Sequence, residues 1–271
     1  MKRSDLKKTA LAAGIGVLVL VGATAAFLTS SDVAYNLFSV GKVDLDVEED
    51  FDKDQTLAAG QIITKTPWIR NTGTVNEVFF AEVCVPVMRT TLVDASGQRI
   101  PPAGATDPVS AADFRQDAEI FHLLTDSGTE IAHATDDPMY GSFAYHGASA
   151  DKKGWYYLGE GTTFTVTQEH PKEGFAEGTY HSYLFGYNAW VAPKDVTVPI
   201  FDKVQLRSMI DSELTGQTIG QVTVLGYALQ ADALGITTLT GNGDTVLYTQ
   251  ADTEAMYRIY QNKNAEAQGG N

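Results

Sequence analysis

The chain has 271 residues and a formal net charge of −15 at neutral pH, with 34 acidic and 19 basic residues. This acidic surface excludes the basic face that nucleic acids and anionic membranes require, so no nucleic acid partner is predicted. The single cysteine, Cys84, excludes an intramolecular disulfide, and the fold therefore depends on its hydrophobic core.

Residues 1–25 have the pattern of a secretory signal peptide. Four basic residues lie before residue 9, and the apolar segment 10–26 that follows contains no charge. This segment is at the lower limit for a membrane span, and the small residues at its end favour cleavage over a permanent anchor. The residues that define the predicted cleavage site are Ala23, Ala25 and Ala26. Cleavage after Ala25 leaves 246 residues with a formal charge of −18. The location predicted for the protein is therefore extracellular, either secreted or at the cell surface.

Residues 26–48 are predicted to form an N-terminal β segment. Apolar residues at 43, 45 and 47 alternate with acids at 44, 46 and 48, so one face of the strand is buried and the other is acidic. These acids fit a solvated strand face. The alternative is weak calcium binding by residues 44–54, with the ion held between subunits, because hard cations prefer carboxylates. No other cofactor is predicted.

Residues 49–250 are predicted to form one β domain, followed by a C-terminal helix and disordered tail at 251–271. The strand predictions in this domain are 61–70, 76–90, 155–158, 162–167, 196–206 and 218–230. Pro86 predicts a bulge, an end or an edge position in the second of these, and 155–167 predicts a hairpin or corner. Apolar spacings of three and four predict a short helix over 107–121. The C-terminal helix is predicted to begin at Asp252 or Thr253 and to give way to disorder from Lys263. Many strands in one chain favour an all-β antiparallel sandwich.

Signatures of catalysis are missing from the sequence, and no catalytic residue is predicted. The five histidines are His122, His133, His146, His170 and His181, and none belongs to a His-Glu-x-x-His motif. A catalytic zinc needs three protein ligands, which distant strands are still able to supply. Cys84 lies in an apolar run and is predicted to be a buried small hydrophobe.

The start of the predicted mature chain resembles the TasA and camelysin (CalY) family of exported proteins from Gram-positive bacteria. Phe38, Gly41, Val43, Asp44 and Leu45 match the family pattern aromatic-x-x-Gly-x-Val/Leu-Asp-Leu. Further segments similar to family elements are 68–73, 155–157, 199–204 and 222–231. The resemblance implies a jelly-roll-type sandwich, processing by a dedicated (SipW-type) signal peptidase, and a role as a subunit of biofilm matrix fibres.

These features together predict a non-enzymatic structural protein of the extracellular matrix that self-assembles into fibres by β-strand donation, with an accessory anchoring protein as a further partner. The predicted assembly strand contains Phe38, Val40, Gly41, Val43, Leu45 and Val47. The alternative to donation is that this strand pairs within its own domain. Two other function classes stay open: a camelysin-like secreted metallopeptidase and a cell-surface adhesion module that uses exposed aromatic residues.

Overall fold

The structure is a computed structural model that describes residues 29–31, 42–51, 58–94, 96–102, 105, 114–124, 145–213, 220–231 and 247–269. These residues contain eleven strands and one α-helix. The strands are β1 Thr29–Ser31, β2 Leu45–Phe51, β3 Ile62–Asn71, β4 Glu77–Thr91, β5 Arg115–Glu119, β6 Phe121–Leu124, β7 Trp155–Glu160, β8 Phe164–Val166, β9 Gly178–Tyr187, β10 Lys203–Leu206 and β11 Thr223–Gln230, and the helix is α1 Gln250–Gly269.

The strands form two antiparallel sheets. In the first sheet the order is β1-β11-β4-β9-β7, with β5 also paired to β4 and β8 also paired to β9. The second sheet has the order β2-β3-β10-β6. The main hydrophobic core contains residues from both sheets, including Ile69 of β3, Phe79 of β4 and Phe185 of β9. The prediction of an all-β antiparallel fold is therefore confirmed.

Strand β4 is the centre of the first sheet and is buried on both faces. Phe79, Ala81 and Val83 belong to the main core, whereas Phe80 and Cys84 belong to two smaller clusters on the other face. This explains the nearly continuous apolar run, because a strand that is covered on both sides has no wet face. The prediction that Cys84 is a buried hydrophobe is confirmed, and burial raises the pKa of its thiol to about 12.

Strand β4 continues through Pro86 because the missing amide proton faces a gap in the sheet. The ladder with β11 stops at Cys84, and the ladder with β5 covers Val87 to Thr91 on the same edge of β4. Pro86 lies between these two partners, and its carbonyl oxygen accepts a hydrogen bond from Ile120 N at 3.1 Å. A proline in a strand is tolerated where no ladder bond is required of its nitrogen.

The helix predicted over 107–121 is wrong for the part that the structure describes, since residues 115–119 and 121–124 are strands. Strand β5 pairs with β4 in the first sheet, and β6 pairs with β10 in the second. The chain therefore changes sheets at Ile120. Buried residues at 118, 119, 120 and 121 break the two-residue period at this crossing, and the spacing imitates a helical face.

The C-terminal helix is confirmed, but it starts earlier and extends further than predicted. Thr249 caps it, since its hydroxyl accepts a hydrogen bond from Asp252 N at 3.2 Å while Asp252 accepts one from Thr249 N at 3.1 Å. The helix continues to Gly269, so the disorder predicted from Lys263 is wrong over that range. Met256 and Tyr260 pack around Phe80 on the outer face of the first sheet. No helix in the described ranges is long and apolar enough to cross a membrane.

Of the two predictions for 155–167, the hairpin is wrong and the structure has a corner instead. Strands β7 and β8 do not pair with each other; each pairs with a different part of β9. Residues 183–187 of β9 face β7, and residues 178–180 face β8. The segment between the two strands therefore leaves the sheet and interrupts the edge of β9.

Candidate functional site

The residues predicted for export and assembly divide between the described and the undescribed parts of the chain. Those that lie outside the described residues are Ala23, Ala25, Ala26, Phe38, Val40 and Gly41. Val43 and Leu45 are only 6% and 4% exposed and belong to the main core, against which Val47 packs partly buried. From residue 42 onward, the N-terminal segment is thus paired within its own domain. This is the alternative to strand donation that the sequence analysis left open.

Glu48, on the acidic face of β2, is hydrogen-bonded to β3. Glu48 accepts hydrogen bonds from Arg70 Nε at 2.5 Å and from Trp68 Nε1 at 2.7 Å. The hydrogen bond from Arg70 is the main reason that the pKa of Glu48 is lowered. On the opposite face of β2, Glu49 pairs with the buried Lys65 at 2.5 Å. Cross-strand ion pairs of this kind fix the register of β2 on β3.

A turn after β3 holds the segment that leads into β2. Thr72 N and Gly73 N both donate to Asp44 O, at 3.0 and 3.1 Å, and Thr74 N donates to Lys42 O at 2.8 Å. In the other direction, Lys42 N donates to Thr74 Oγ1 at 2.7 Å. We call residues 71–77 together with residues 42–45 the N-terminal clasp.

Asn71 and Gly73 give the clasp its shape. The buried Asn71 side chain donates from Nδ2 to Val75 O and Val191 O, both at 2.8 Å, and accepts from Gly73 N at 2.9 Å. A β-carbon at Gly73 would overlap Lys42 O and the Glu77 carboxyl, and would lie 3.0 Å from Asp44 N. Only glycine therefore allows the turn to approach the N-terminal segment this closely. The Asn-Thr-Gly sequence has a clear physical role here.

Glu77 is the buried carboxyl group of the clasp. Its side chain is fully buried, and Oε1 accepts a hydrogen bond from Asp44 N at 3.0 Å. Its second oxygen, Oε2, has no hydrogen-bond partner within the described residues. Burial, reinforced by the charge of Asp44, raises the pKa of Glu77 to about 8. The carboxyl group is therefore mostly protonated at neutral pH.

The strand nearest the predicted cleavage site lies on the edge of the first sheet. Strand β1 pairs with β11 through Thr29↔Leu229, Ser30↔Ala228 and Ser31↔Tyr227. Strand β11 is eight residues long, and its outer edge from 223 to 226 has no strand partner in the described part of the chain. An edge with unpaired backbone groups is a template for strand addition.

The histidines do not form a metal centre in the described ranges. His146 Nε2 lies 2.7 Å from Asp202 Oδ1, and His181 Nδ1 lies 3.1 Å from Glu119 Oε1. His122 and His170 lie elsewhere, and His133 lies outside the described residues. Among the residues that can be described, no three His, Cys, Asp or Glu side chains converge to hold a metal ion. This finding applies to Asp44 to Asp50 of the predicted calcium segment, whereas residues 52–54 lie outside the described residues.

In the sequence, 71–73 stand out only as part of the family-like segment 68–73, and no pattern identifies Glu77 as part of a site. The one sequence feature of Glu77 is its position directly before the apolar run 78–81. That position fits an exposed acid at the end of a strand as well as it fits a buried carboxyl group. The contact between the turn and residues 42–45 spans about thirty positions, and no local pattern encodes it.

Comparison of the chain with known protein families, with curated proteins and with solved structures gives no match.

Proposed function

We propose that this protein is a secreted structural subunit that self-assembles into extracellular fibres by exchanging its N-terminal strand. The export signal and the order of the family-like segments favour a matrix protein. The observation that carries the proposal is β1, a three-residue strand that lies on the edge of the first sheet just after the predicted cleavage site. We also infer a jelly-roll-type sandwich, because the chain crosses between two antiparallel sheets at Ile120.

Strand β1 is well suited to exchange because its ladder with β11 is short. Three residue pairs connect it to β11, whereas β2 has seven pairs with β3 and is also held by the N-terminal clasp. A net hydrogen bond contributes roughly 0.5–1.5 kcal/mol, so a strand this short is inexpensive to displace. A neighbour's β1 would restore the same ladder, and the exchange would cost little in backbone hydrogen bonds.

The clasp would act as the fixed anchor of this exchange. Residues 32–41 connect β1 to the clasp, and ten residues span at most about 33–36 Å when fully extended. That distance is sufficient to reach the edge of an adjacent subunit. Residues 223–226 of β11 give an incoming strand room to pair beyond the three positions that β1 occupies. Cleavage of the signal peptide would free the end of the strand, so assembly would begin only after export.

The test is deletion of residues 26–40, which removes β1 and leaves the clasp intact. We expect the variant to have the circular dichroism spectrum and melting temperature of the parent protein within a few degrees, and to form no filaments by negative-stain electron microscopy. Filaments with the parent's diameter and subunit repeat would show that β1 is not donated. Replacement of residues 26–40 by a Gly/Ser segment of equal length is the matched control for chain length.

A further inference from the structure

The two carboxyl oxygens of Glu77 have different surroundings inside the N-terminal clasp. Oε1 accepts a hydrogen bond from Asp44 N at 3.0 Å, whereas Oε2 is buried and has no hydrogen-bond partner among the described residues. A buried carboxylate with one unbonded oxygen lacks the donors that would stabilise its charge. The closed clasp therefore favours the protonated, neutral form of the group.

The charged groups near Glu77 give a carboxylate little compensation. The N-terminal segment brings Asp44 and Lys42, which form an ion pair with each other. The segment after β9, which bridges to Glu77, carries one cation and one acid, Lys194 and Asp195, both exposed. Strand β11 and the turn after β3 bring no charged side chain. Because each segment carries one charge of each sign, burial is the dominant effect on Glu77.

The closed clasp leaves no room to hydrate a charge on Glu77. A β-carbon at Gly73 would overlap both the Glu77 carboxyl and Lys42 O, so not even a methyl group fits between the turn and the N-terminal segment. Displacement of residues 42–45 would give the carboxyl group access to water. Ionisation of Glu77 and displacement of this segment are therefore coupled.

We propose that the clasp is a pH-sensitive switch, in which loss of the Glu77 proton favours release of residues 42–45 while the rest of the domain stays folded. The release stops within β2, because Glu48 and Glu49 are each ion-paired with β3. Its consequence for assembly rests on the proposed function: release removes the fixed anchor of the exchanging strand. Fibres would therefore form less efficiently as the pH rises.

The direction and size of the pH effect follow from the proton on Glu77. Burial raises the pKa of Glu77 from its ordinary value of 4.5 to about 8 in the closed clasp. Below pH 4.5 the group is protonated in both forms, so the closed clasp has its full stability, which is lost as the pH rises to about 8. Over this range the population of the open clasp increases on the order of a thousandfold, the ratio of the two ionisation constants.

The test is amide hydrogen exchange of the purified protein, followed by NMR at several pH values and expressed as protection factors. Between pH 5 and pH 8 we expect the protection of the Asp44, Gly73 and Thr74 amides to fall about a hundredfold or more. At every pH these amides should be less protected than Val83, which is buried in the centre of β4. That difference separates local release from unfolding of the whole domain.

Two variants identify the group that titrates. In Glu77→Gln, which is neutral at every pH, the protection of the clasp amides should change less than about threefold over the same range. Asp195→Asn removes a charge from an exposed position beside the clasp and should keep the pH dependence of the parent protein. Constant protection in the parent protein would overturn the switch. A pH dependence that persists in Glu77→Gln, or clasp amides as protected as Val83 at every pH, would also overturn it.

Hydrogen exchange in the monomer does not require assembly, so its result is separate from that of the proposed function. Filament yield is measured by sedimentation at pH 5 and pH 8 at equal ionic strength. The parent protein should form fewer filaments at pH 8, and Glu77→Gln should form similar amounts at both. Equal yields of the parent at both pH values would overturn the role of the switch in assembly. If no filaments form at any pH, the proposed function fails while the exchange result still decides the switch.

Discussion

Replacement of Gly73 by alanine should release the N-terminal clasp. The added methyl group would overlap a backbone oxygen, Lys42 O, as well as the Glu77 carboxyl. A flexible side chain can rotate away from such a clash, but a backbone oxygen moves only if its segment moves. Gly73 does not have a positive φ, so the whole effect is steric and none of it comes from a strained backbone.

The size of the effect follows from what the segment buries. Displacement of residues 42–45 exposes Val43 and Leu45, each of which contributes roughly 1.5–3 kcal/mol through burial. It also breaks the hydrogen bonds from Thr72, Gly73 and Thr74 to the segment. Because partial relaxation preserves some contacts, we expect a loss of about 3 kcal/mol in the free energy of unfolding. For a domain of this size that loss lowers Tm by roughly 6–12 °C.

The assay is thermal unfolding by circular dichroism combined with hydrogen exchange. Gly147→Ala is the matched control, because the nearest atom to its added β-carbon is Tyr145 Cε2 at an ordinary contact distance of 3.6 Å. The control should melt within about 2 °C of the parent protein. In Gly73→Ala, the amides of Asp44 and Thr74 should exchange faster than in the control. Equal Tm and equal exchange in the two variants would refute the clasp as described.

Four other outcomes are expected. Because the pKa of Glu77 is raised on folding, its contribution to stability is complete below the unfolded pKa of 4.5 and is lost as the pH rises to about 8. The free energy of unfolding should therefore fall across this range by at most about 5 kcal/mol. Urea unfolding at several pH values should show this fall in the parent protein and not in Glu77→Gln. Leu45→Asp should unfold the domain by circular dichroism, whereas the exposed Asp46→Asn should not, and equal behaviour of the two would contradict the burial of Leu45. Ala25→Arg should leave an uncleaved, membrane-held precursor, and N-terminal sequencing that starts far from Ala26 would show that the site is misread. Protein freed of contaminating proteases should show no zinc-dependent peptide hydrolysis. Hydrolysis that needs stoichiometric zinc and disappears when one histidine is replaced would contradict this expectation.

The strands could be predicted from the sequence where one periodicity extends through the whole element. Alternation at 43–48 identifies β2, and the apolar run at 78–85 identifies the doubly covered β4. The prediction fails at Ile120, where the chain changes sheets and successive residues are buried by different neighbours. A periodicity argument assumes a single environment, and a crossing strand has two.

The candidate sites depend on contacts that local patterns do not encode. Glu77 and Glu119 have the sequence context of ordinary surface acids, yet both are buried by strands distant in the chain. Glu77 meets Asp44 across 33 positions, and Glu119 meets Tyr183 across 64. The Asn-Thr-Gly turn could be read locally, but its fit to residues 42–45 depends on the register of β2 against β3.

The most direct test of strand exchange is disulfide trapping between subunits. Ser30 and Ala228 are paired residues of β1 and β11, so Ser30→Cys and Ala228→Cys can be made in separate proteins and mixed before assembly. The native Cys84 is buried with a raised pKa and should not interfere. If β1 is donated, oxidation of filaments from the mixture gives covalent dimers that neither variant forms alone. Filaments that assemble from the mixture but yield no such dimers would contradict exchange of the N-terminal strand.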